Sequence, residues 1–344
     1  MTDSPLRALA FAALAVLLAL PLGCTPRGGS GGFSNDDDSA SDDDDSATGD
    51  DDDTGDDDDT TGDDDDATGD DDDSTLSEAD LVCQRWTDDR LDLSEGGWSG
   101  SVGTCDPGDT LAPGRDNALR LVNLYRWLAG LPEVTTSAAR DAAAQDCALI
   151  AQANGVLSHY PPDTWNCWSQ AGYDASGRSS IAPVAGVDAV DLYMADPGNS
   201  TTMGHRRWIL SNDIGPIGLG SASGYSCMYV LGGSGAAGAP WTAFPSPGPF
   251  PYEAMVVTWA DVDDTGWTFQ SDSLGLSNAQ VTITRDDGQD LPVSVTTLGA
   301  NYGSDQAINI LPQGWVSEPG RSYDVAVAHA SGTVQYTVEL VACP

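Results

Sequence analysis

Histidine is the residue type that points most directly to chemistry in this chain, which contains three of them. A neutral imidazole is a good zinc ligand, and a zinc-bound water can act in hydrolysis at neutral pH. Simpler catalytic motifs are not found in the sequence. There is no His-Glu-x-x-His, and Ser158, which precedes His159, lacks a Gly-x-Ser-x-Gly turn.

The other polar candidates have simpler interpretations. Arg206 and Arg207 follow His205, and we expect them either to pair with surface carboxylates or to bind an anion. Asp213 could orient a histidine, although nothing in its position supports that role. His329 falls within a predicted strand, where we expect it to lie at the surface.

The N-terminus has the composition of a signal peptide. Arg7 is followed by the apolar run Ala8–Leu20, which is too short to span a bilayer and has the length of a signal-peptide core. The segment Leu20-Pro21-Leu22-Gly23-Cys24 resembles a bacterial lipobox, although Pro21 occupies the position usually taken by Leu. We therefore predict a signal peptide over residues 1–24 and a lipid on Cys24. Ordinary signal cleavage nearby is the alternative.

Acidic residues are concentrated just after this segment. The chain has 54 acidic and 13 basic residues, a net charge of −41, and 23 of its Asp fall between residues 36 and 73. Such runs bury no apolar surface and repel one another, so we predict a disordered tether over residues 25–75. They lack the Gly and Glu of an EF-hand loop, so any calcium binding should be weak. The charge argues against nucleic acid and anionic lipid headgroups as partners.

Cysteine spacing predicts disulfides rather than a metal site. Beyond Cys24 the chain has six cysteines, an even number that in an exported protein indicates three disulfides. We expect Cys83 to pair with Cys105, because the two bracket a Gly-, Ser- and Asp-rich stretch before the first strong helix. The pairing of the other four stays open, and no Cys-x-x-Cys supports a zinc site. The four are Cys147, Cys167, Cys227 and Cys343.

Apolar periodicity changes along residues 76–250, the first predicted folded domain. Apolar residues at helical spacing predict helices over 116–129, 137–154 and 187–195, and a short one over 203–210. Strands are predicted over 217–221 and 225–232. Helices followed by strands indicate a layered α+β fold.

A series of motifs in this region resembles a known family. Leu121–Arg126 with Ala129–Pro132, the second helix leading into Leu157-Ser158-His159, and Gly204–Leu210 occur in the order found in the CAP superfamily. This superfamily comprises the cysteine-rich secretory, antigen 5 and pathogenesis-related proteins, whose shared unit is also called the SCP domain. The resemblance covers about residues 114–232 and implies an α-β-α sandwich.

The resemblance also implies a cleft with two His and two Glu, in which some members hold zinc through the His pair. His159 and His205 match the two histidines. The first Glu should fall within 177–181 and is missing, while Asp196 stands in for the second. We therefore take His159, His205 and Asp196 as candidate catalytic residues, and the two histidines as candidate ligands of zinc or another divalent cation. The alternative is a polar cleft with hydrogen-bonded histidines and no turnover.

Residues 251–344, the second predicted domain, contain about seven short runs of period two separated by turn residues, which predict an immunoglobulin-like β-sandwich. Residues 236–251, rich in Gly, Ala and Pro, resemble a packed linker. The second domain is interpreted either as a binding or adhesion module or as a spacer that stabilises the first.

Three functions remain open at this point. The first is a monomeric, membrane-tethered extracellular protein that binds a lipid, glycan or protein through its His-containing cleft. The second is a metal-assisted extracellular hydrolase, peptidase-like, that uses His159 and His205. The third is an architectural protein of the bacterial cell envelope. In each case the membrane partner is reached through the lipid on Cys24, the protein faces outward or is secreted, and no nucleic acid is bound.

Overall fold

Helices dominate the first half of the folded region. The computed structural model describes Leu76–Cys343, so the predicted signal peptide, Cys24 and the acidic tether lie outside the described residues. No helix within this range combines the length and the apolar character needed to cross a membrane. The helices are α1 (Glu78–Asp89), α2 (Gly114–Leu128), α3 (Ala138–Asn154), α4 (Gln170–Ser176), α5 (Gly186–Ala195), α6 (Gly204–Ile209) and α7 (Val262–Thr265).

Helix α3 has the ends that the sequence predicts. The Ser137 side chain accepts a hydrogen bond from the backbone N–H of Arg140, and Gly155 ends the helix in the left-handed conformation at a φ of 66°. Helix α2 begins at Gly114, two residues before the predicted start, and buries Leu121, Leu124 and other apolar side chains. These two helices, together with α5 and α6, confirm the helical predictions.

Between residues 76 and 232, two helices and one strand were not predicted, because their apolar signals are weak. Helix α1 buries only Val82 and Trp86, and its start is fixed by a reciprocal cap between Ser77 and Asp80. Helix α4 has seven residues. The strand that follows it, β1 (Ser179–Ala182), contains two serines and lacks the apolar alternation of a typical strand.

A small antiparallel sheet forms the centre of the first region. Strand β1 pairs with β3 (Tyr225–Tyr229), which also pairs with β2 (Gly218–Ala222). Helix α3 packs so closely on one face that a Cβ on Gly220 would lie 2.2 Å from a backbone atom of Ala144. Ser221, whose side chain points to the other face, bonds the N–H of Gly186 at the start of α5. The result is a helix–sheet–helix arrangement.

The rest of the chain forms two larger sheets and one hairpin. One sheet has the order β10-β9-β13-β14-β5 and the other β11-β12-β8-β4; all pairs are antiparallel except β5 with β14. Together with the helices, these sheets confirm the α+β class, while the immunoglobulin-like topology stays a prediction. The strands are β4 (Thr242–Phe244), β5 (Gly248–Pro251), β6 (Val256–Val257), β7 (Ala260–Asp261), β8 (Trp267–Ser271), β9 (Gln280–Arg285), β10 (Asp290–Leu291), β11 (Val293–Thr297), β12 (Gln306–Pro312), β13 (Ser322–His329) and β14 (Gly332–Val341).

The predicted linker over 236–251 supplies two of these strands, β4 and β5. The reason is that Phe244 and Phe250 are buried, and the Phe244 ring meets Tyr125 of α2 edge-on at 6.1 Å. Apolar residues of both regions belong to one hydrophobic core. The domain boundary placed at residue 250 falls within β5, and both β4 and β5 pair with later strands, while the division into two domains stays a prediction.

The three disulfides confirm the predicted number, but the Cys83–Cys105 pair is wrong. The observed pairs are Cys83–Cys343, Cys105–Cys167 and Cys147–Cys227. Helix α1 packs against β5, and β5 pairs with β14, so Cys83 lies beside Cys343, two residues after β14, and not beside Cys105. Three disulfides are typical of proteins that fold in an oxidising, extracytoplasmic compartment.

Candidate functional site

His159 lies in the segment between α3 and α4. Its Nδ1 is 2.8 Å from the backbone carbonyl oxygen of Ser176, the last residue of α4. A carbonyl only accepts, so Nδ1 carries the hydrogen and the neutral ring keeps a lone pair on Nε2. Burial lowers the pKa of His159 below its ordinary value, against the opposing effect of the Ser176 bond. The imidazole is therefore mainly neutral at pH 7.

His205 is the second residue of α6, and its side chain is 30% exposed. Its Nδ1 is 2.8 Å from Oδ1 of Asp196, whose side chain is 1% exposed. The ring lies 5.1 Å from the ring of Tyr193, centre to centre, at 35°. Because the carboxylate is the acceptor, His205 also carries its hydrogen on Nδ1 and keeps Nε2 free to accept.

Asp196 forms part of two helix ends, the C-terminus of α5 and the N-terminus of α6. It ends α5 in the left-handed conformation at a φ of 52°, which is uncommon outside glycine. Oδ2 accepts from the backbone N–H groups of His205 at 3.2 Å and Arg206 at 3.4 Å, so the carboxylate also covers the start of α6. The Asn199 side-chain amide donates to it as well. Asp196 thus acts on His205 through Nδ1 as an orienting group, and both of its carboxylate oxygens are already engaged.

One electrostatic effect relates His159 to His205. A positive charge on His205 contributes to lowering the pKa of His159, so the two rings are close enough to interact electrostatically. The Nδ1 partner of His159 is a main-chain group, the Ser176 carbonyl. Both rings therefore have a fixed acceptor on Nδ1 and the same tautomer.

The donor set falls short of a usual zinc centre. Across Leu76–Cys343, no group of three His, Cys, Asp or Glu side chains is placed to hold a metal ion. The pair supplies at most two protein ligands, whereas a catalytic zinc usually has three. A three-ligand site made of His159, His205 and Asp196 does not fit this arrangement, because the Asp196 carboxylate is engaged behind the ring.

The two arginines after His205 have a different role from the one that the sequence suggested. Both side chains are fully buried, and they donate to backbone carbonyls instead of binding surface carboxylates or an anion. Arg207 donates to the carbonyls of Thr202, Gly299 and Ser304. Burial lowers the pKa of each arginine to about 10, so both stay charged at neutral pH.

Two candidates lie elsewhere. His329 ends β13 and makes its contacts with Ser331 in the following turn. His329 is thus the last residue of a strand that the sequence predicted, and its side chain contacts the turn between β13 and β14. Asp213 is exposed, and it is Asp196 that orients a histidine.

Several residues around the site were not predicted from the sequence. Ser176 acts through its main chain, so its side-chain type carries no signal. Tyr302 comes from the loop between β11 and β12, and its ring packs over Gly204, where a Cβ would lie 2.9 Å from Cδ1. No local pattern links residue 302 to residue 204. Only Tyr193, on the buried side of a predicted helix, was within reach of sequence reasoning.

Comparison with known proteins identifies a related family for part of the chain. Residues 119–233 match the family model described as CAP, the cysteine-rich secretory protein family. The match spans about a third of the 344-residue chain and includes His159, Asp196 and His205. No curated protein and no solved structure matches the chain. The family match supports the resemblance to the CAP superfamily for residues 119–233.

Proposed function

We propose that this chain is an extracellular binding protein, held to the envelope through Cys24, whose ligand enters the cleft at His159 and His205. One observation supports this most: each imidazole has its Nδ1 engaged by a fixed acceptor. Both rings therefore offer an Nε2 lone pair of defined direction. A pair of oriented acceptors is suited to binding, with or without later chemistry.

The acceptors select the chemistry of the ligand. A neutral imidazole accepts a hydrogen bond from a hydroxyl or an N–H group, so the ligand must present such donors. The chain has a net charge of −41, which disfavours polyanions. Among the lipid, glycan and protein ligands left open by the sequence, a neutral glycan best meets both conditions.

Binding can be tested with three probes: a neutral oligosaccharide, a phosphatidylcholine vesicle and an unstructured peptide. The mature chain is titrated with each, and the ¹⁵N resonances of the histidine rings are followed. We expect the oligosaccharide to shift the Nε2 signals of His159 and His205. His159→Gln and His205→Gln should each weaken binding at least about tenfold, the equivalent of about 1.4 kcal/mol.

His329→Gln is the matched control, because it removes a histidine outside the cleft. It should bind the oligosaccharide with the affinity of the wild type. Equal binding by the His159 and His205 variants would refute a role for the cleft. A response only to the vesicle or the peptide would keep the cleft as the binding site and show that its ligand is a lipid or a protein instead of a glycan.

A second function, metal-assisted hydrolysis, is favoured by the Asp196–His205 hydrogen bond. A carboxylate that holds Nδ1–H of a histidine is the usual partner of a metal-binding or general-base imidazole. The discriminating measurement is metal analysis of the purified wild type beside His159→Ala and His205→Ala. A stoichiometric divalent ion that both variants lose, together with peptide hydrolysis, would favour the hydrolase. A wild type with no bound divalent ion would remove this alternative.

A further inference from the structure

Arg206 holds the end of the helix that carries Asp196. Its Nε donates to the carbonyl oxygen of Met194 at 2.6 Å, and Nη2 donates to that of Ala195 at 3.1 Å. These are the last two residues of α5, where carbonyl groups have no partner within the helix. The backbone N–H of Arg206 also donates to Asp196. One residue thus fixes both the helix end and the carboxylate.

The same guanidinium reaches the later part of the chain. Nη1 donates to the carbonyl oxygen of Gly266 at 2.6 Å, and Nη2 donates to Oγ1 of Thr265 at 3.1 Å. Its Cζ lies 4.9 Å from the ring centre of Phe244 in β4. The guanidinium group is fully buried, and each of these hydrogen-bond partners is a backbone carbonyl or a hydroxyl oxygen. Arg206 therefore joins α5 and α6 to the β-sheet region.

We propose that Arg206 is a positioning residue that keeps Asp196 and His205 in register, so that the sheet region sets the tautomer of the cleft histidine. The proposal rests on the proposed function only in taking His205 as a ligand-contacting residue. Asp196 occupies a left-handed conformation that is unfavourable for a non-glycine residue, so its neighbours must impose its position. The hydrogen bonds of Arg206 to the two preceding carbonyls supply that constraint.

Lysine at position 206 keeps the positive charge but cannot form the forked set of bonds. With the end of α5 no longer held, Asp196 should lose its alignment to Nδ1 of His205. We therefore expect Arg206→Lys to lose the single Nδ1–H signature of His205. Its Nε2 resonance should move from the unprotonated position toward the average of two tautomers.

Arg207→Lys is the matched control, because Arg207 is equally buried but bonds Thr202, Gly299 and Ser304 instead of the end of α5. It should lower the Tm and leave the His205 signature unchanged. His159 provides an internal reference, since its Nδ1 bond goes to Ser176 and should be unaffected in both variants. The measurement is made at pH 7.5 on the mature chain without ligand or metal.

A folded Arg206→Lys with the wild-type His205 spectrum would overturn the proposal, and so would an equal change in Arg207→Lys. If Arg206→Lys does not fold, Thr265→Val decides, because it removes a single bond to Nη2 from the sheet side. We expect a smaller shift of the same His205 resonance, and no shift would overturn the proposal. The result does not depend on ligand binding, so the proposed function and the role of Arg206 can fail separately.

Discussion

Asp196 and His205, nine residues apart in the sequence, are joined by a 2.8 Å hydrogen bond between Oδ1 and Nδ1. The bond connects the last turn of α5 to the first turn of α6, and the carboxylate is almost fully enclosed. It fixes which ring nitrogen of His205 carries the hydrogen in the neutral ring. The proposed binding role of His205 therefore depends on a residue that no ligand needs to touch.

Asp196→Asn tests this relationship. The amide oxygen can still accept hydrogen bonds on one side, but the amide nitrogen that replaces the other carboxylate oxygen only donates. Either Nδ1–H of His205 or the backbone N–H groups of His205 and Arg206 therefore lose their acceptor. We expect the free energy of unfolding to fall by about 1–3 kcal/mol, the cost of leaving buried donors without partners. Urea unfolding measures the loss, and ring ¹⁵N spectra should show mixed tautomers at His205. Asp213→Asn, an exposed acid, should change neither quantity. A wild-type spectrum in Asp196→Asn would contradict the orienting role.

The pH dependence of stability should include a contribution from His159. Burial lowers its pKa in the folded state below the ordinary value of 6.5, so the unfolded chain binds the proton more readily. This contribution is present above pH 6.5 and is lost as the pH falls through the lowered pKa. We expect His159→Gln to have a smaller loss of stability between pH 7.5 and pH 5 than the wild type, as measured by urea unfolding. His329→Gln should follow the wild-type curve. Parallel curves for all three proteins would show that the pKa of His159 is not lowered in the folded protein.

The part of the fold predictable from sequence is the part with regular local signals. Helix α3 has an N-cap Ser137, a C-terminal Gly155 and a stripe of small residues, and all three signals are local. His159 and His205 were singled out because the motifs around them resemble those of a family, and that they share a cleft stays a prediction. Helix α1 was not predicted because it buries only two side chains, and strand β1 was not predicted because it lacks apolar alternation.

Long-range relationships were the main source of error. Cys83 is close in sequence to Cys105 and close in space to Cys343, because α1 packs on β5 beside β14. Arg206 looks like a surface residue in an acidic protein, yet its carbonyl partners come from α5 and from the start of β8. Neither arrangement leaves a pattern in the neighbouring sequence. The carbonyl partners of Arg206 carry no signal, because every residue has a carbonyl group.

The three disulfides should differ in their resistance to reduction. Cys105 is exposed, whereas Cys147 and Cys227 are buried between α3 and β3, and thiolate attack requires access to a sulfur. We expect a mild thiol to reduce Cys105–Cys167 first and Cys147–Cys227 last in the native protein. Alkylation followed by peptide mass spectrometry gives the order. In urea all three should be reduced at similar rates, and the same order in native and unfolded protein would argue against protection by burial.

Lipid attachment at Cys24 is the basis of the proposed envelope location. Cys24→Ser removes the thiol that would be acylated, and acyl chains contribute roughly 0.8 kcal/mol of membrane affinity per buried methylene. We expect the wild type to fractionate with membranes and to incorporate labelled fatty acid, and Cys24→Ser to do neither. Cys83→Ser is the control, because it removes a disulfide cysteine and should leave the label in place. Equal labelling of Cys24→Ser would rule out the anchor.

Removing residues 251–344 should prevent the remaining region from folding. Strand β5 would lose β14 and strand β4 would lose β8, and the buried rings of Phe244 and Phe250 would lose their cover. Exposing a phenylalanine side chain costs roughly 1.5–3 kcal/mol, and a typical domain is stable by only about 5–15 kcal/mol. We expect a chain that ends at residue 250 to have no cooperative thermal transition by circular dichroism. The control is a chain that starts at residue 76, which should unfold with the wild-type Tm. A sharp transition in the shortened chain would show that residues 76–250 fold alone and that the sheet region does not complete their core. A native His205 spectrum in the same chain would show that the sheet region does not position the His205 ring.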